Sequence, residues 1–158
     1  MENIISLLTT TEGRIGRQQW WIGVVAMIVV AIVAAIILSI ISFGNATVYG
    51  WLALLLNIAL LYPSYCLGIK RRRDRDNDGT DLKILLGGSL VLSLLQATGI
   101  GVTWTDVGGV AYPMPSLWLT ILNLAFAVFA IYMLVQLGFL KGTTGSNRYG
   151  PDPLGAAA

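Results

Sequence analysis

A chain of 158 residues that is 56% hydrophobic and only 11% charged is one domain's worth of polypeptide, yet too apolar for a water-soluble globule. A formal charge of +2 gives no basic excess for nucleic acid. The single cysteine, Cys66, excludes an internal disulfide, and the absence of histidine removes the commonest general base and metal ligand.

Residues 1–19 combine an apolar cluster (Ile4, Ile5, Leu7, Leu8) with Glu12, Gly13, Arg14, Arg17, Gln18 and Gln19. This segment reads as an interfacial piece, either an amphipathic anchor or an ordered or frayed tail. Residues 20–43 form the first hydrophobic run. About 20 helical residues at about 1.5 Å each cross a hydrocarbon core of about 30 Å, so the run is long enough to span. It is also longer than the apolar stretch of a cleaved signal peptide. A short uncharged turn follows, in which Asn45-Ala46-Thr47 reads as turn chemistry rather than a glycosylation site. The second span is residues 49–69, with Pro63 expected to kink it.

The segment from Lys70 to Lys83 is the strongly charged stretch of the chain, and its failure to enter lipid organises everything else. The third span, residues 82–102, is the least apolar. Gly87, Gly88, Ser89 and Ser93 give it a small-residue character that favours close helix packing. Residues 103–115 read as a loop, with Trp104, Tyr112 and Trp118 at the level of an interfacial aromatic belt. Residues 116–140 are the fourth span, and residues 141–158 a polar tail. The fold class predicted is an all-α integral membrane protein with a four-helix bundle as its single domain. Its non-spanning segments on one side are residues 1–19, 70–81 and 141–158.

With four spans, all ten cations fall on that one side: Arg14 and Arg17, then Lys70, Arg71, Arg72, Arg73, Arg75 and Lys83, then Lys141 and Arg148. By the positive-inside rule both termini are expected in the cytoplasm.

Three segments carry a resemblance. They are Gly13-Arg14-Ile15-Gly16-Arg17-Gln18-Gln19-Trp20-Trp21, then Lys70-Arg71 with Asp74-Arg75 and Gly79, and lastly the tail from Lys141 to Pro153, with Asn147-Arg148-Tyr149 at its centre. Together they resemble the domain-of-unknown-function 805 family of small bacterial inner-membrane proteins, over essentially the whole chain. The resemblance implies a multi-span fold in a bacterial inner (plasma) membrane and no established activity. The family's middle loop reads Arg-Arg-Leu-His-Asp and then Ser-Gly-Trp-Trp. Here Arg72 and Arg73 stand in place of Leu and His, and Asp78, Thr80 and Asp81 in place of Ser and the tryptophans.

The motifs point to a non-catalytic role. Asp74-Arg75-Asp76-Asn77-Asp78-Gly79 matches the start of a calcium-binding loop, but its twelfth position is Leu85 where a bidentate Glu is required. Neighbouring cations also repel a divalent ion, so no metal and no cofactor is assigned. No acid or base lies in the middle of any span, Lys83 sitting at the edge of the third, and no nucleophile triad, zinc motif or phosphate loop is present, so no enzyme is predicted. The candidate functional face is Arg14, Arg17, Lys70, Arg71, Asp74, Gly79, Asn147, Arg148 and Tyr149, with Asp74 or Asp76 expected to pair with Arg14 or Arg17. Asn57, Gln96 and Asn123 lie at comparable depth and form a candidate interhelical polar set. Tyr62, Ser64, Tyr65, Cys66 and Gln136 are placed to line a shallow pocket on the same side.

The predicted role is a membrane scaffold or partner-binding protein. Its expected partners are anionic lipid headgroups at the basic loop, and a membrane protein or a second copy of the chain, with no nucleic acid. The alternative is a conduit or carrier for a small solute through the bundle.

Overall fold

The structure, a computed structural model, describes residues 3–155. Its elements in chain order are α1 (Ile4–Thr9), α2 (Arg17–Ile41), α3 (Ala46–Arg73), α4 (Thr80–Thr98), strands β1 (Val102–Val107) and β2 (Val110–Pro115), and α5 (Leu117–Leu134). The last helix continues as a π-helical turn, Val135–Phe139. Four of these helices are long and apolar enough to cross a membrane: Arg17–Ile41, Ala46–Arg73, Thr80–Thr98 and Leu117–Phe139.

Local chemistry sets the helix ends. The Asn45 side chain accepts from the Val48 amide at 3.0 Å, so the sequon-like triplet is an N-cap. With 28 residues, α3 exceeds the bilayer core by about 40%. Its last turn therefore carries Lys70 to Arg73 as helix rather than loop. The helix runs through Pro63 as one element, leaving the Ala59 carbonyl without its usual amide donor. At its far end α4 stops at Thr98, earlier than the predicted 102, because Gly99 takes the left-handed conformation that closes a helix.

The predicted loop at 103–115 is instead a β-hairpin, so the chain is mostly rather than wholly helical. Val102 pairs with Pro115 and Val107 with Val110. Gly108 and Gly109, at φ of 67° and 85°, form the two-residue turn whose twist suits a hairpin, and the Asp106 carboxylate accepts from the Gly109 amide at 3.0 Å. Pro113 and Pro115 argue against a strand in a larger sheet. A two-stranded ribbon has an outer edge on each strand, where a missing N–H costs nothing.

The bundle is tight at one end and looser at the other. α3 packs on both α2 and α4, α4 packs on α5, and the π turn at the end of α5 meets α2. The core lies towards the end that carries the cations: Leu7, Ile15, Trp20, Leu67, Ile69, Leu82, Met133 and Leu137. Gly88 of α4 leaves room for the Phe126 ring of α5, and Gly50 of α3 approaches the backbone of Ala97, as small residues permit between spanning helices. Away from these contacts the helices present Ile, Val and Leu outward, as lipid-facing surfaces do.

Candidate functional site at the basic end of the bundle

The largest fully buried side chains in the molecule include Arg71 and Lys70. Buried cations need partners, and here most of the partners are backbone carbonyls at helix ends. A helix C-terminus leaves four carbonyls without intrahelical donors and carries partial negative charge. At the end of α5, five successive carbonyls are bonded from other segments. Arg75 Nη1 donates to Gln136 O at 3.2 Å, Arg71 Nε to Leu137 O at 2.7 Å, and Trp21 Nε1 to Gly138 O at 3.2 Å. Arg17 Nη1 donates to Phe139 O at 3.1 Å, and Arg71 Nη2 to Leu140 O. The Gln136 side-chain oxygen also accepts from Arg72 and Arg75.

The same device holds α1. Lys70 Nζ donates to Ser6 O at 2.7 Å, Tyr62 Oη to Thr9 O at 3.0 Å, and Arg73 to Thr11 O. With Leu7 buried and Ile5 exposed, residues 4–9 are a short helix docked on the bundle rather than a frayed tail.

Asp74 is the junction. Its carboxylate pairs with Arg14 at 3.0 Å and with Arg71, and all three side chains are 5% exposed or less. The Arg14 guanidinium also donates to Thr143 O at 2.8 Å, Thr143 Oγ1 at 3.1 Å, Gly145 O at 2.9 Å and Gly150 O at 3.1 Å. One planar fork thereby ties the N-terminal segment, the α3–α4 connection and the tail together. We expect Arg14→Lys to lose most of this clamp, since an ammonium cannot reproduce a fork that meets five groups at once. The cost is about 2–4 kcal/mol at one or two lost charged hydrogen bonds, and hydrogen exchange over residues 143–155 should rise while that of the spans does not.

The tail closes over this junction. Asn147 Nδ2 donates to Arg73 O at 2.9 Å, and the Tyr149 ring lies between the guanidiniums of Arg73 and Arg148, 5.4 and 4.8 Å from its centre. Arg148 pairs with Asp76 at 3.0 Å in an exposed bridge. Asp152 accepts from the amides of Leu154 and Gly145, each at 2.9 Å, and these bonds hold its carboxyl below the usual range. A depressed carboxylate stabilises above the unfolded value of 3.8 and loses that effect as pH falls through the lower folded value. Exchange in residues 143–155 is therefore expected to be flat from neutral pH down to that range and to rise below it, with Asp152→Asn abolishing the step.

All nine residues predicted for the functional face meet here, and the expected pairing is made by Arg14 with Asp74. Gly79 begins α4 at φ 75°, with Ile69 against the face where a side chain would project. The acids of the calcium-like loop disperse to Arg14 and Arg71, Arg148, Thr80 and Arg72. Among the described residues no three acidic or cysteine side chains converge as metal ligands would. Trp21, Thr143 and Gly142 belong to the junction without standing among the predicted site residues, because each acts through its backbone or against a backbone from another segment, and Gln136, predicted for a pocket, instead receives Arg72 and Arg75.

The predicted polar set is not joined. Asn123 Nδ2 bonds to Leu119 O in its own helix at 2.8 Å, the Asn57 side-chain oxygen is buried without a partner among the described residues, and Gln96 is exposed. Gln96 and Asn123 line one cavity, and Asn57 does not reach it. The residues of the predicted shallow pocket line no common cavity: Ser64 borders a crevice that the other four do not, Cys66 is buried beside Tyr62, whose hydroxyl holds α1, and Gln136 is held by Arg72 and Arg75.

Four apolar helices long enough to span, knotted at one end around a buried Arg–Asp–Arg junction, define a small helical membrane protein with its polar architecture on one face. The chain belongs to the family described as "Protein of unknown function (DUF805)", whose model matches residues 8–151. That stretch begins inside α1 and ends at Pro151, and so contains Arg14, Arg71, Asp74, Thr143, Gly145 and Gly150 of the junction. No curated protein and no solved structure matches the chain.

Proposed function

We propose that this protein is a non-catalytic scaffold or partner-binding protein of the bacterial inner membrane, with both termini in the cytoplasm. The observation that carries the reading is the inward use of the basic cluster. Lys70, Arg71 and Arg72 are buried and bonded to the chain's own groups. The result is a pre-formed platform of α1, the α3–α4 connection and the tail, and a rigid surface binds a partner without an ordering cost. Exposed on it are Arg148, Asp76, Lys141 and Leu154. Contact with anionic headgroups falls to the rim cations Arg17, Lys83 and Lys141, which are exposed, at about 1 kcal/mol each. A second copy of the chain is one partner this surface admits.

The conduit reading draws on the cavity beside Gln96 and Asn123. That cavity shares no lining residue with the apolar crevice nearer the basic end, between α2, α3 and α4, and the junction lies beyond both.

Photo-crosslinking residues at Leu154 and Lys141, with Val107 of the hairpin as control, test the proposal in native membranes. One discrete adduct from both basic-end positions and none from Val107 is the expected result. No adduct, together with protein-dependent flux of a small neutral solute into reconstituted vesicles, overturns it in favour of a conduit. Cysteines placed at Arg148 and Val107 should react with an impermeant maleimide from opposite sides, since native Cys66 is 0% exposed and will not interfere.

A further inference from the structure

At the hairpin end, the first turn of α3, the last turn of α4, the hairpin and the first half of α5 border an open-sided cavity of about 850 Å³. Pockets that take small molecules run from about 300 to 1,000 Å³ and combine apolar walls with a few polar groups. Trp104, Pro113 and Pro115 form the hairpin wall, Leu119 and Leu124 belong to α5, and no Asp, Glu, Lys or Arg lines the space.

Its polar side chains are all uncharged. Thr98 Oγ1 donates to Leu94 O at 2.8 Å, Thr120 Oγ1 to Ser116 O at 3.0 Å, and Asn123 Nδ2 to Leu119 O at 2.8 Å. With those hydrogens committed within their own helices, the Thr98 and Thr120 hydroxyl oxygens and the Asn123 Oδ1 remain as acceptors, the second Asn123 Nδ2 hydrogen remains as a donor, and the Thr47 hydroxyl in the same wall offers both. The Gln96 amide makes no hydrogen bond among the described residues and adds one further acceptor with two donors. An uncharged wall that both accepts and donates favours a ligand that does both, which means hydroxyl groups. The apolar remainder of the wall, on helices whose outer faces meet lipid, favours a hydrocarbon chain. A phosphate head is disfavoured because every cation of the protein belongs to the segments at the opposite end.

We propose that this cavity is a binding site for an uncharged amphiphile with a hydroxyl-bearing head and an acyl chain, entered sideways from the bilayer. The site stands apart from any partner of the basic end. The test uses the full chain in phosphatidylcholine nanodiscs with a diazirine-bearing monoacylglycerol, followed by peptide mapping. Saturable labelling of residues 96–127, displaced by unlabelled monoacylglycerol, is expected. Gln96→Leu with Asn123→Leu should weaken it about tenfold, the effect of one or two lost hydrogen bonds. Ala127→Phe, which fills the space without removing a polar group, should weaken it as well. Labelling spread along the exposed face of α2, labelling indifferent to both variants, or equal labelling by a diazirine-bearing phosphatidylglycerol would each overturn the proposal.

Discussion

Asp74→Ala is expected to destabilise the basic end by about 3–5 kcal/mol, the usual cost of leaving buried charge without its counter-ion. Two guanidiniums depend on this one carboxylate, and the side chains of Arg14 and Arg71 are 1% and 0% exposed. Neither can turn to water without uncoupling the tail or the end of α5. Asp74→Asn should cost less, since it keeps a side-chain acceptor for one guanidinium, whereas the backbone carbonyl that takes the Thr143 amide at 2.8 Å is present in either variant. A charge swap between positions 14 and 74 should not restore stability, because it would present a cation to Arg71. The spans themselves should stay inserted, because their hold on lipid does not pass through the junction. Thermal unfolding in mild detergent, read through tryptophan emission near Trp21, checks the ordering. An Asp74→Ala protein within about 0.5 kcal/mol of wild type, the scatter of ordinary surface changes, would mean that charge does not hold the junction.

Much of this architecture was legible because lipid is an unforgiving solvent. Length and hydropathy place four spans to within a few residues, and the cations must gather wherever the chain leaves the membrane. The partnership of Arg14 with Asp74 was legible too, as charge complementarity between two motifs flanking different spans. The hairpin was not. Its Gly-Gly turn is a recognisable signal, but two prolines and a stretch of Thr and Trp hid the period-two pattern, and only the edge-on-edge nature of a lone ribbon makes them compatible. The π turn was illegible for a different reason. Nothing local in Val135-Gln136-Leu137-Gly138-Phe139 demands it, and the carbonyls it presents are paired by side chains from three other segments. Arg72 and Arg73 read as solvated loop charges because a helix end cannot be told from a loop until the segments that cover it are known. Depth along a span follows from counting residues, whereas rotation about the helix axis is decided by packing, so Asn57, Gln96 and Asn123 could share a level and still not meet.

Gly142→Val should produce the second large loss, at a residue with no side chain and no charge. A β-carbon at this position would overlap the Asp74 carboxylate, so the added atoms would enter the ion junction itself. The backbone cannot step aside cheaply. The Thr143 amide and hydroxyl both donate to Asp74 O, at 2.8 and 3.1 Å, and Thr143 O accepts from Arg14 at 2.8 Å. Either the carboxylate moves off its two cations or the tail lifts away and releases the contacts of Arg14 with residues 143, 145 and 150. Both routes break a buried charged network, and a cost of about 2–4 kcal/mol is expected, near that of Asp74→Ala. The two variants should also fail to add when combined, because each destroys the same junction. Additive losses in the double variant, measured by the same detergent melts, would place Gly142 outside the junction and return the tail to an independent segment. A non-additive result would establish that the three sequence motifs fold as one cooperative unit, with a glycine in the tail as necessary to it as the carboxylate it touches.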